Sequence, residues 1–134
     1  MKDKFYLKII KVPRKPINKS HKIEIFLFDT HIAGTAYVEG IEELAENLTI
    51  NERLNFVREE NNKYDLQAIK IQNSQGNKLG YVPQVDNVIF ARLMDHGKVI
   101  FAKIRKIDLR GKWYKIDIAI FLEEGGDIDE NINS

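Results

Sequence analysis

The chain has 134 residues, of which 43% are hydrophobic and 31% charged, a composition typical of one globular domain and a length too short for two. It contains no cysteine, which excludes disulfides, thiolate zinc sites and cysteine nucleophiles, and its three histidines show no metal-ligand spacing. No apolar run approaches the roughly 18 residues of a membrane span. Lysines interrupt the apolar N-terminal stretch, which argues against a signal peptide. We therefore expect a cytoplasmic protein with no metal, no cofactor and no membrane contact.

The net charge of +1 hides a strong segregation of charge along the chain. Residues 1–22 hold eight bases and one acid, and residues 98–115 hold seven bases and one acid. Residues 39–65 are acidic, and residues 123–134 hold five acids and no base. Local basic surface can bind phosphates even when the total charge is near zero. The alternative is that each of these bases is an ordinary solvated surface residue.

The first third of the chain predicts an extension, a strand and a short helix. Residues 1–21 form a basic extension in which the apolar residues of 5–10 could add one strand. Apolar and polar residues alternate from residue 22 to 28, a pattern typical of a strand that we expect to continue to residue 34. Residues 41–48 carry apolar side chains at helical spacing with glutamates between them, which predicts an amphipathic helix.

The rest of the chain predicts five more strands, a second helix and a tail. The strands are expected at residues 53–59, 67–72, 78–82, 98–107 and 113–122. The helix is expected to begin at an Asp86 N-cap and to end at Gly97, with Val88 and Leu93 in the core. Residues 123–134 are expected to be a disordered acidic tail. Six strands joined by hairpins or short helices favour an all-β, mostly antiparallel, OB-like barrel with two short helices over a doubly wound sheet.

The most informative stretch is the polar segment that follows the second predicted strand. The strand ends in the charged residues Arg58 and Glu59, the polar segment that follows is turn-rich and displays Tyr64, and the chain re-enters a strand near Ala68. Loops held by strands on both sides are common binding elements. This stretch lies between two further segments, Gly34–Tyr37 and Gly80–Pro83. The order and spacing of the three segments resemble the signature of the HIRAN domain. That family is known as a DNA-binding module attached to Swi/Snf-type helicases and also found alone in bacteria.

The resemblance runs from about residue 32 to residue 107 and implies a HIRAN-like barrel over residues 22–122. It also implies a module that binds single-stranded DNA, including its 3′ end, in DNA repair or at replication forks, with a helicase or nuclease as protein partner. No cofactor is implied. By chemistry, tyrosines would stack on bases, a carboxylate would accept a bond from the terminal hydroxyl, and cations would contact phosphates. The residues that carry these roles are Tyr37, Asn62, Tyr64, Asp65, Tyr81, Gln84, Arg58, Lys103 and Arg105.

Within this set, Tyr37 and Tyr64 are the stacking candidates and Asp65 is the hydroxyl acceptor. Asn62 would position the loop, and Tyr81 and Gln84 would line the pocket from the other side. The DNA-end-binding members of the family are expected to carry a basic residue where this chain has Ala36 and a lysine near Gln84. The loss of two cations implies weaker phosphate binding.

Each of these assignments has a structural alternative. Tyr37 could belong to the core, and the Tyr64 ring could pack across the barrel mouth. Asp65 could close an Asx-turn or cap a helix, and Arg58 could pair with Glu59, Glu60 or Asp65. There is no nucleophile–base pair, phosphate loop or metal cluster in the sequence, so we expect no enzyme. A protein- or peptide-interaction module on the same barrel is the alternative to DNA binding.

Overall fold

The computed structural model describes residues 22–125, which form six strands and two α-helices. The elements are β1 (Lys22–His31), a 3₁₀ turn (Thr35–Tyr37), α1 (Ile41–Glu46), β2 (Arg53–Arg58), β3 (Ile69–Gln72), β4 (Lys78–Tyr81), α2 (Asn87–Asp95), β5 (Val99–Arg110) and β6 (Trp113–Gly125). Glu24–Glu123 is one compact unit, and of the second unit, residues 1–23 and 124–134, only four residues are described. The predicted extension 1–21 and most of the predicted tail lie outside the described residues, whereas residues 123–125 belong to β6.

The six strands form one sheet in the order β1-β6-β5-β2-β3-β4. Antiparallel pairing joins β6 to β5, β5 to β2, β2 to β3 and β3 to β4. The two edge strands, β1 and β4, are joined by a bridge between Ala33 and Tyr81, whose backbones exchange hydrogen bonds of 2.7 and 2.9 Å. Because Ala33 follows β1 and Tyr81 ends β4, this bridge closes the sheet on itself. The predicted antiparallel barrel with two helices is confirmed.

Glycine at position 80 permits the closing bridge. A Cβ built on Gly80 would lie 2.3 Å from the carbonyl oxygen of Ala33 and 2.6 Å from Cγ2 of Ile32, and the Gly80 φ of +153° lies in a region that side chains rarely adopt. Both distances are far inside van der Waals contact. Gly80 is therefore required by the close approach of two backbones.

The barrel interior is filled by alternate residues of the strands and by one face of α1. In β6, Ile116, Ile118 and Ile120 are buried and Tyr114 packs half-buried against the same core, whereas Lys115 and Asp117 remain partly exposed. The alternation predicted for this strand is confirmed. Helix α1 contributes the buried Ile41 and Ala45, and Leu48, two residues after the helix ends, is buried at the same spacing.

Helix α2 begins and ends where predicted, but without the expected side-chain cap at its start. Lys98 N donates to Leu93 O at 3.0 Å and Gly97 N to Met94 O at 2.9 Å, with Gly97 at φ +89°. These two bonds form a Schellman motif, so the predicted glycine C-cap is confirmed. The Asp86 side chain makes no capping hydrogen bond. Its carboxylate instead accepts a bond of 3.0 Å from the Thr30 hydroxyl of β1, so Asp86 occupies the predicted N-cap position but does not cap the helix through its side chain.

The inward face of α2 is also rotated from the prediction. Asn87, Phe90 and Ala91 are buried, Leu93 packs partly buried against the core, and Val88, predicted to be in the core, is 43% exposed. Asn87 therefore takes an inward position at helical spacing from Phe90 and Ala91. A polar residue on the buried face is a departure from simple amphipathic patterning, and its partner lies in the candidate site.

Candidate functional site

The loop of residues 59–68, called the β2–β3 loop below, is organised by the side chain of Asn62. Its Oδ1 accepts hydrogen bonds from the backbone N–H groups of Tyr64 at 2.9 Å and Asp65 at 3.1 Å. Its Nδ2 donates to Oε1 of Glu59 at 3.0 Å. Both ends of the amide are engaged, and the turn that presents Tyr64 and Asp65 is thereby fixed.

Glu59 connects this loop to β4. Its Oε1 also accepts a bond of 2.7 Å from the hydroxyl of Tyr81, and Lys70 Nζ lies 3.8 Å from its Oε2. Burial raises the pKa of Glu59, but the hydrogen bonds from Tyr81 and Asn62 and the charge of Lys70 lower it by more, so the net pKa lies below the ordinary value. An ionised carboxylate therefore holds the loop against β4. Sequence reasoning missed Glu59, because only the adjacency of β2, β3 and β4 brings it to Tyr81.

The rings of Tyr37 and Tyr64 project into solvent. Tyr37 is 93% exposed and Tyr64 is 90% exposed. These values exclude the core alternative for Tyr37 and the packed alternative for Tyr64. Large exposed aromatic rings on ordered turns are suited to stacking on a flat ligand such as a nucleobase.

Asp65 closes an Asx-turn and also contacts α2. Its Oδ1 accepts the backbone N–H of Gln67 at 2.8 Å, and its Oδ2 accepts the side-chain Nδ2 of Asn87 at 2.8 Å. The Asx-turn alternative therefore holds for Asp65. A carboxylate offers about four acceptor positions, and two are used, so each oxygen retains capacity for a further donor such as a ligand hydroxyl.

The turn that carries Tyr37 and the β2–β3 loop are both bound to β4, through its last residue, Tyr81. It ends the 3₁₀ turn that begins directly after the Ala33–Tyr81 bridge, and the buried hydroxyl of Thr35 fixes this turn by donating to Tyr114 O at 2.8 Å. Tyr81 thus holds the Tyr37 segment through its backbone and the β2–β3 loop through its hydroxyl. Its ring is half-buried with Lys78 Nζ 4.6 Å from the ring centroid, which suits a support better than a stacking platform.

Arg58 is engaged within the fold. Its guanidinium binds Asp95 of α2 through bonds of 2.8 and 3.1 Å and donates to Ala68 O at 2.9 Å, and its side chain is only 12% exposed. The hydrogen bond to Asp95 raises the pKa of Arg58 and lowers that of Asp95. The predicted ion pair forms, but its partner is Asp95 and not Glu59, Glu60 or Asp65. Since each of its three guanidinium nitrogens already donates a hydrogen bond within the fold, we omit Arg58 from the proposed ligand contacts.

The remaining predicted residues divide between two places. Gln84 is exposed in the turn before α2, next to the residues that contact Asp65 and Thr30. Lys103 and Arg105 lie on β5, where Lys103 pairs with Glu24 of β1 at 2.6 Å and both cations lie near the Phe121 ring of β6. The contacts of Lys103 and Arg105 are therefore with β1 and β6 and not with the β2–β3 loop.

Apolar side chains are also exposed around the Asp65–Asn87 contact. Leu66 is 68% exposed, Val85 91% and Ile89 67%. The sequence did not mark these three residues as functional, because single apolar residues are common at protein surfaces. Within residues 22–125 no group of histidines and carboxylates is arranged to hold a metal ion. No helix in this range is long and apolar enough to cross a membrane.

Comparisons with known proteins agree on one family. Residues 25–124 match the model of the HIRAN domain. Over 83 residues, 60% of this chain, the sequence is 31% identical to the helicase-like transcription factor of Oryctolagus cuniculus, and the match spans 8% of that protein.

Among solved structures, a protein from Lactobacillus plantarum is 25% identical, with a TM-score of 0.72 over 78% of this chain and 99% of that one. The HIRAN domain of human HLTF is 20% identical, with a TM-score of 0.61 over 81% of this chain and 86% of that one, which shows the shared fold. The family match covers most of the described barrel, including the β2–β3 loop and the Ala33–Tyr81 closure. The chain belongs to the HIRAN domain family.

Proposed function

We propose that this domain binds single-stranded DNA and recognises its 3′ end at the β2–β3 loop. The observation that carries the proposal is the pairing of an exposed ring, Tyr64, with the carboxylate of the next residue, Asp65, both held by Asn62. The ring would stack on the terminal base. The carboxylate would accept a hydrogen bond from the terminal 3′-hydroxyl.

Tyr37 supplies a second stacking surface in this proposal. Its turn is anchored by Thr35 and by the Ala33–Tyr81 bridge, so its ring is presented on ordered backbone. Gln84 would contact the sugar or phosphate from the α2 side. Tyr81 and Glu59 would act as supports for the loop, since the Tyr81 hydroxyl is already donated to Glu59.

The electrostatics of the loop support weak binding. Its three acids, Glu59, Glu60 and Asp65, outnumber its one base, Lys63. The positions where end-binding relatives are expected to carry cations hold Ala36 and Gln84. Phosphate contacts supply much of the affinity of nucleic-acid complexes. We therefore expect dissociation constants in the micromolar range or above, of which stacking contributes about 1–3 kcal/mol per base.

A helicase or nuclease partner and a role in repair or at replication forks complete the proposal. Membership of the HIRAN family supports this setting, as does the similarity to a helicase-like relative, of which this chain covers a small part. In such an arrangement the domain would bring a DNA end to a catalytic partner and would not itself be an enzyme.

A peptide-binding role is the second candidate, and the exposed apolar residues favour it. Leu66, Val85 and Ile89 flank the Asp65–Asn87 contact and could receive apolar side chains of a peptide. Salt separates the two functions. A DNA complex should weaken steeply as salt rises, whereas a complex dominated by apolar burial should change little.

The direct test is fluorescence anisotropy with labelled single-stranded and duplex oligonucleotides at low and moderate salt. The parent should bind single strands with a free 3′ end most tightly. Tyr64→Ala should weaken binding on the order of tenfold through lost stacking, whereas Tyr64→Phe, which keeps the ring, should bind like the parent. Equal loss in both variants would contradict stacking, and no binding of any oligonucleotide at low salt would favour the peptide role.

A further inference from the structure

A β-bulge in β5 turns two successive basic side chains to the outside of the barrel. Ile104 pairs with Ile118 and the next pair is Lys106 with Asp117, so Arg105 is the extra residue. Ile104 is fully buried, Arg105 and Lys106 are exposed, and Ile107 packs against the core again. In a regular strand one of two successive side chains would face the core, and the bulge removes that constraint.

These two cations border an open groove between β1, β5 and β6. The groove has a volume of about 770 Å³ and is lined, among others, by Phe26, Thr30, Arg105, Lys106, Lys115 and Asp117. It is called the β1–β5–β6 groove below. Its cations come from two neighbouring strands and its aromatic residue from a third, so the arrangement is produced by the fold and not by one charge run.

The groove has an aromatic wall. Phe26 is 50% exposed and packs edge-on against Phe121, with ring centroids 5.9 Å apart, and Phe121 stacks on the buried Phe101 at 5.5 Å. The Arg105 guanidinium lies 5.9 Å from the Phe121 ring. An exposed ring beside a guanidinium offers two flat surfaces on which a base can stack.

The charges of the groove leave room for an anion. Lys115 pairs with Asp117 at 3.1 Å and Lys106 with Asp108 at 3.7 Å, and both are partly exposed pairs of a kind that contributes little to stability. Asp29 and His31 also line the groove. No carboxylate in the described range 22–125 lies within ion-pair distance of Arg105, whose described contact is the Phe121 ring.

A short path of hydrogen bonds connects the groove to the β2–β3 loop. Thr30, in the groove wall, donates to Asp86 at 3.0 Å. The next residue, Asn87, donates to Asp65 at 2.8 Å. The groove wall and Asp65 are therefore joined through the consecutive residues Asp86 and Asn87, and on this connection rests the path assigned to the nucleotides that precede a 3′ end at Asp65.

We infer that the β1–β5–β6 groove binds the backbone and one or two bases of a single DNA strand on the 5′ side of the end held at Asp65. Phosphates contact Arg105, Lys106 and Lys115, and a base stacks on Phe26. This inference rests on the proposed function, since it assigns the upstream path of the same strand. It adds phosphate contacts to those of the β2–β3 loop, whose one base is the exposed Lys63.

The test compares oligothymidylates of about 4 and about 16 nucleotides, the range of OB-fold site sizes, each with a free 3′-hydroxyl. Anisotropy is measured for the parent, Arg105→Gln, Lys106→Gln and the control Lys98→Gln. Lys98 is exposed and lies seven residues before Arg105 along the strand direction, roughly 20 Å away. The long oligomer should bind the parent more tightly than the short one.

Each groove variant should remove one phosphate contact for the long oligomer only. The slope of log K against log salt should fall by about 0.7, which corresponds to about a fivefold loss near 0.1 M salt. The short oligomer and the Lys98→Gln control should be unaffected. Phe26→Ala provides a second variant, which should weaken the long oligomer without changing the salt slope.

Five results would overturn the inference. If the short oligomer binds in a 3′-end-dependent way but length adds nothing, the groove fails while the proposed function stands. Equal losses for both lengths, or an equal loss in Lys98→Gln, would indicate a general charge effect and would also overturn it. Displacement of the long oligomer by polyglutamate at the same charge concentration would assign the groove to acidic peptides. If neither oligomer binds at all, both the groove and the proposed function fail.

Discussion

The buried side-chain amide of Asn87 donates a 2.8 Å hydrogen bond to the carboxylate of Asp65. This contact joins the first residue of α2 to the loop that carries the proposed ligand contacts. Asn87 is 1% exposed, and its Oδ1 has no hydrogen-bond partner within residues 22–125. The buried face of α2 therefore carries a polar side chain that binds Asp65 of the candidate site, although burial leaves its Oδ1 without a hydrogen bond from the described residues.

Removal of this amide should destabilise the domain. Asn87→Ala leaves one Asp65 oxygen without its donor and opens a small cavity, and we expect the free energy of unfolding to fall by about 1–3 kcal/mol. Urea unfolding measures the change. Asn61→Ala, at an exposed position of the same loop, is the matched control and should be close to neutral. An unchanged midpoint for Asn87→Ala would show that the contact does not contribute in solution.

Asn62 should matter for binding although it need not touch the ligand. Asn62→Ala releases the backbone N–H groups of Tyr64 and Asp65 and one bond to Glu59. We expect it to weaken DNA binding about as much as Tyr64→Ala, while hydrogen exchange at the Tyr64 and Asp65 amides becomes faster. Tyr64→Ala should leave the Asp65 amide protected. Normal binding with fast exchange in Asn62→Ala would show that an ordered loop is not required.

Gly80→Ala should strongly destabilise the barrel. The new Cβ would lie 2.3 Å from Ala33 O, so the closing bridge must open or shift, with an expected loss of about 3 kcal/mol. Gly76→Ala is the comparison, because a Cβ there meets nothing within 4 Å and only the φ of +87° is unfavourable, at about 1–2 kcal/mol. Equal urea midpoints for the two variants would contradict the assigned role of Gly80.

The Arg58–Asp95 pair should stabilise the fold in a pH-dependent way. The hydrogen bond from Arg58 holds the pKa of Asp95 below its ordinary value of 3.8. A group with a lowered folded-state pKa contributes stability above its unfolded pKa and loses it as pH falls through the folded one. A double-mutant cycle with Arg58→Ala and Asp95→Asn should therefore show a favourable coupling near pH 7 that fades below about pH 4. A coupling that persists near pH 2 would contradict the ionic assignment.

The strands and helices were predictable because their causes are local. The alternation in β6, the apolar spacing of α1 and the glycine that ends α2 are each visible within a few residues. The side-chain cap expected from Asp86 and the core position expected for Val88 were wrong for a tertiary reason. Thr30 of β1 binds the Asp86 carboxylate, and the Asn87–Asp65 contact turns α2 so that Val88 faces outward.

The candidate site was predictable in its exposed residues and not in its supports. Tyr64 and Asp65 stand out as an aromatic and a carboxylate in a polar turn between strands. Glu59 and Asn87 become relevant only because β2, β4 and α2 meet at the loop, at separations of 22 residues along the chain. The bulge at Arg105 was missed although two successive basic residues between Ile104 and Ile107 break the alternation of β5 in the sequence.

The central claim, that Asp65 receives a terminal 3′-hydroxyl, is tested most directly by a ratio of affinities. The measurement is the affinity for a single strand with a free 3′-hydroxyl divided by that for the same strand with a 3′-phosphate, in the parent and in Asp65→Asn. The variant should fold, because the Asn87 amide can rotate and offer its unpartnered Oδ1 to the new amide. Glu42→Gln on α1 removes one negative charge elsewhere and is the control. We predict a ratio well above one in the parent and in Glu42→Gln, and a ratio near one in Asp65→Asn. The same ratio in all three proteins would contradict end recognition by Asp65.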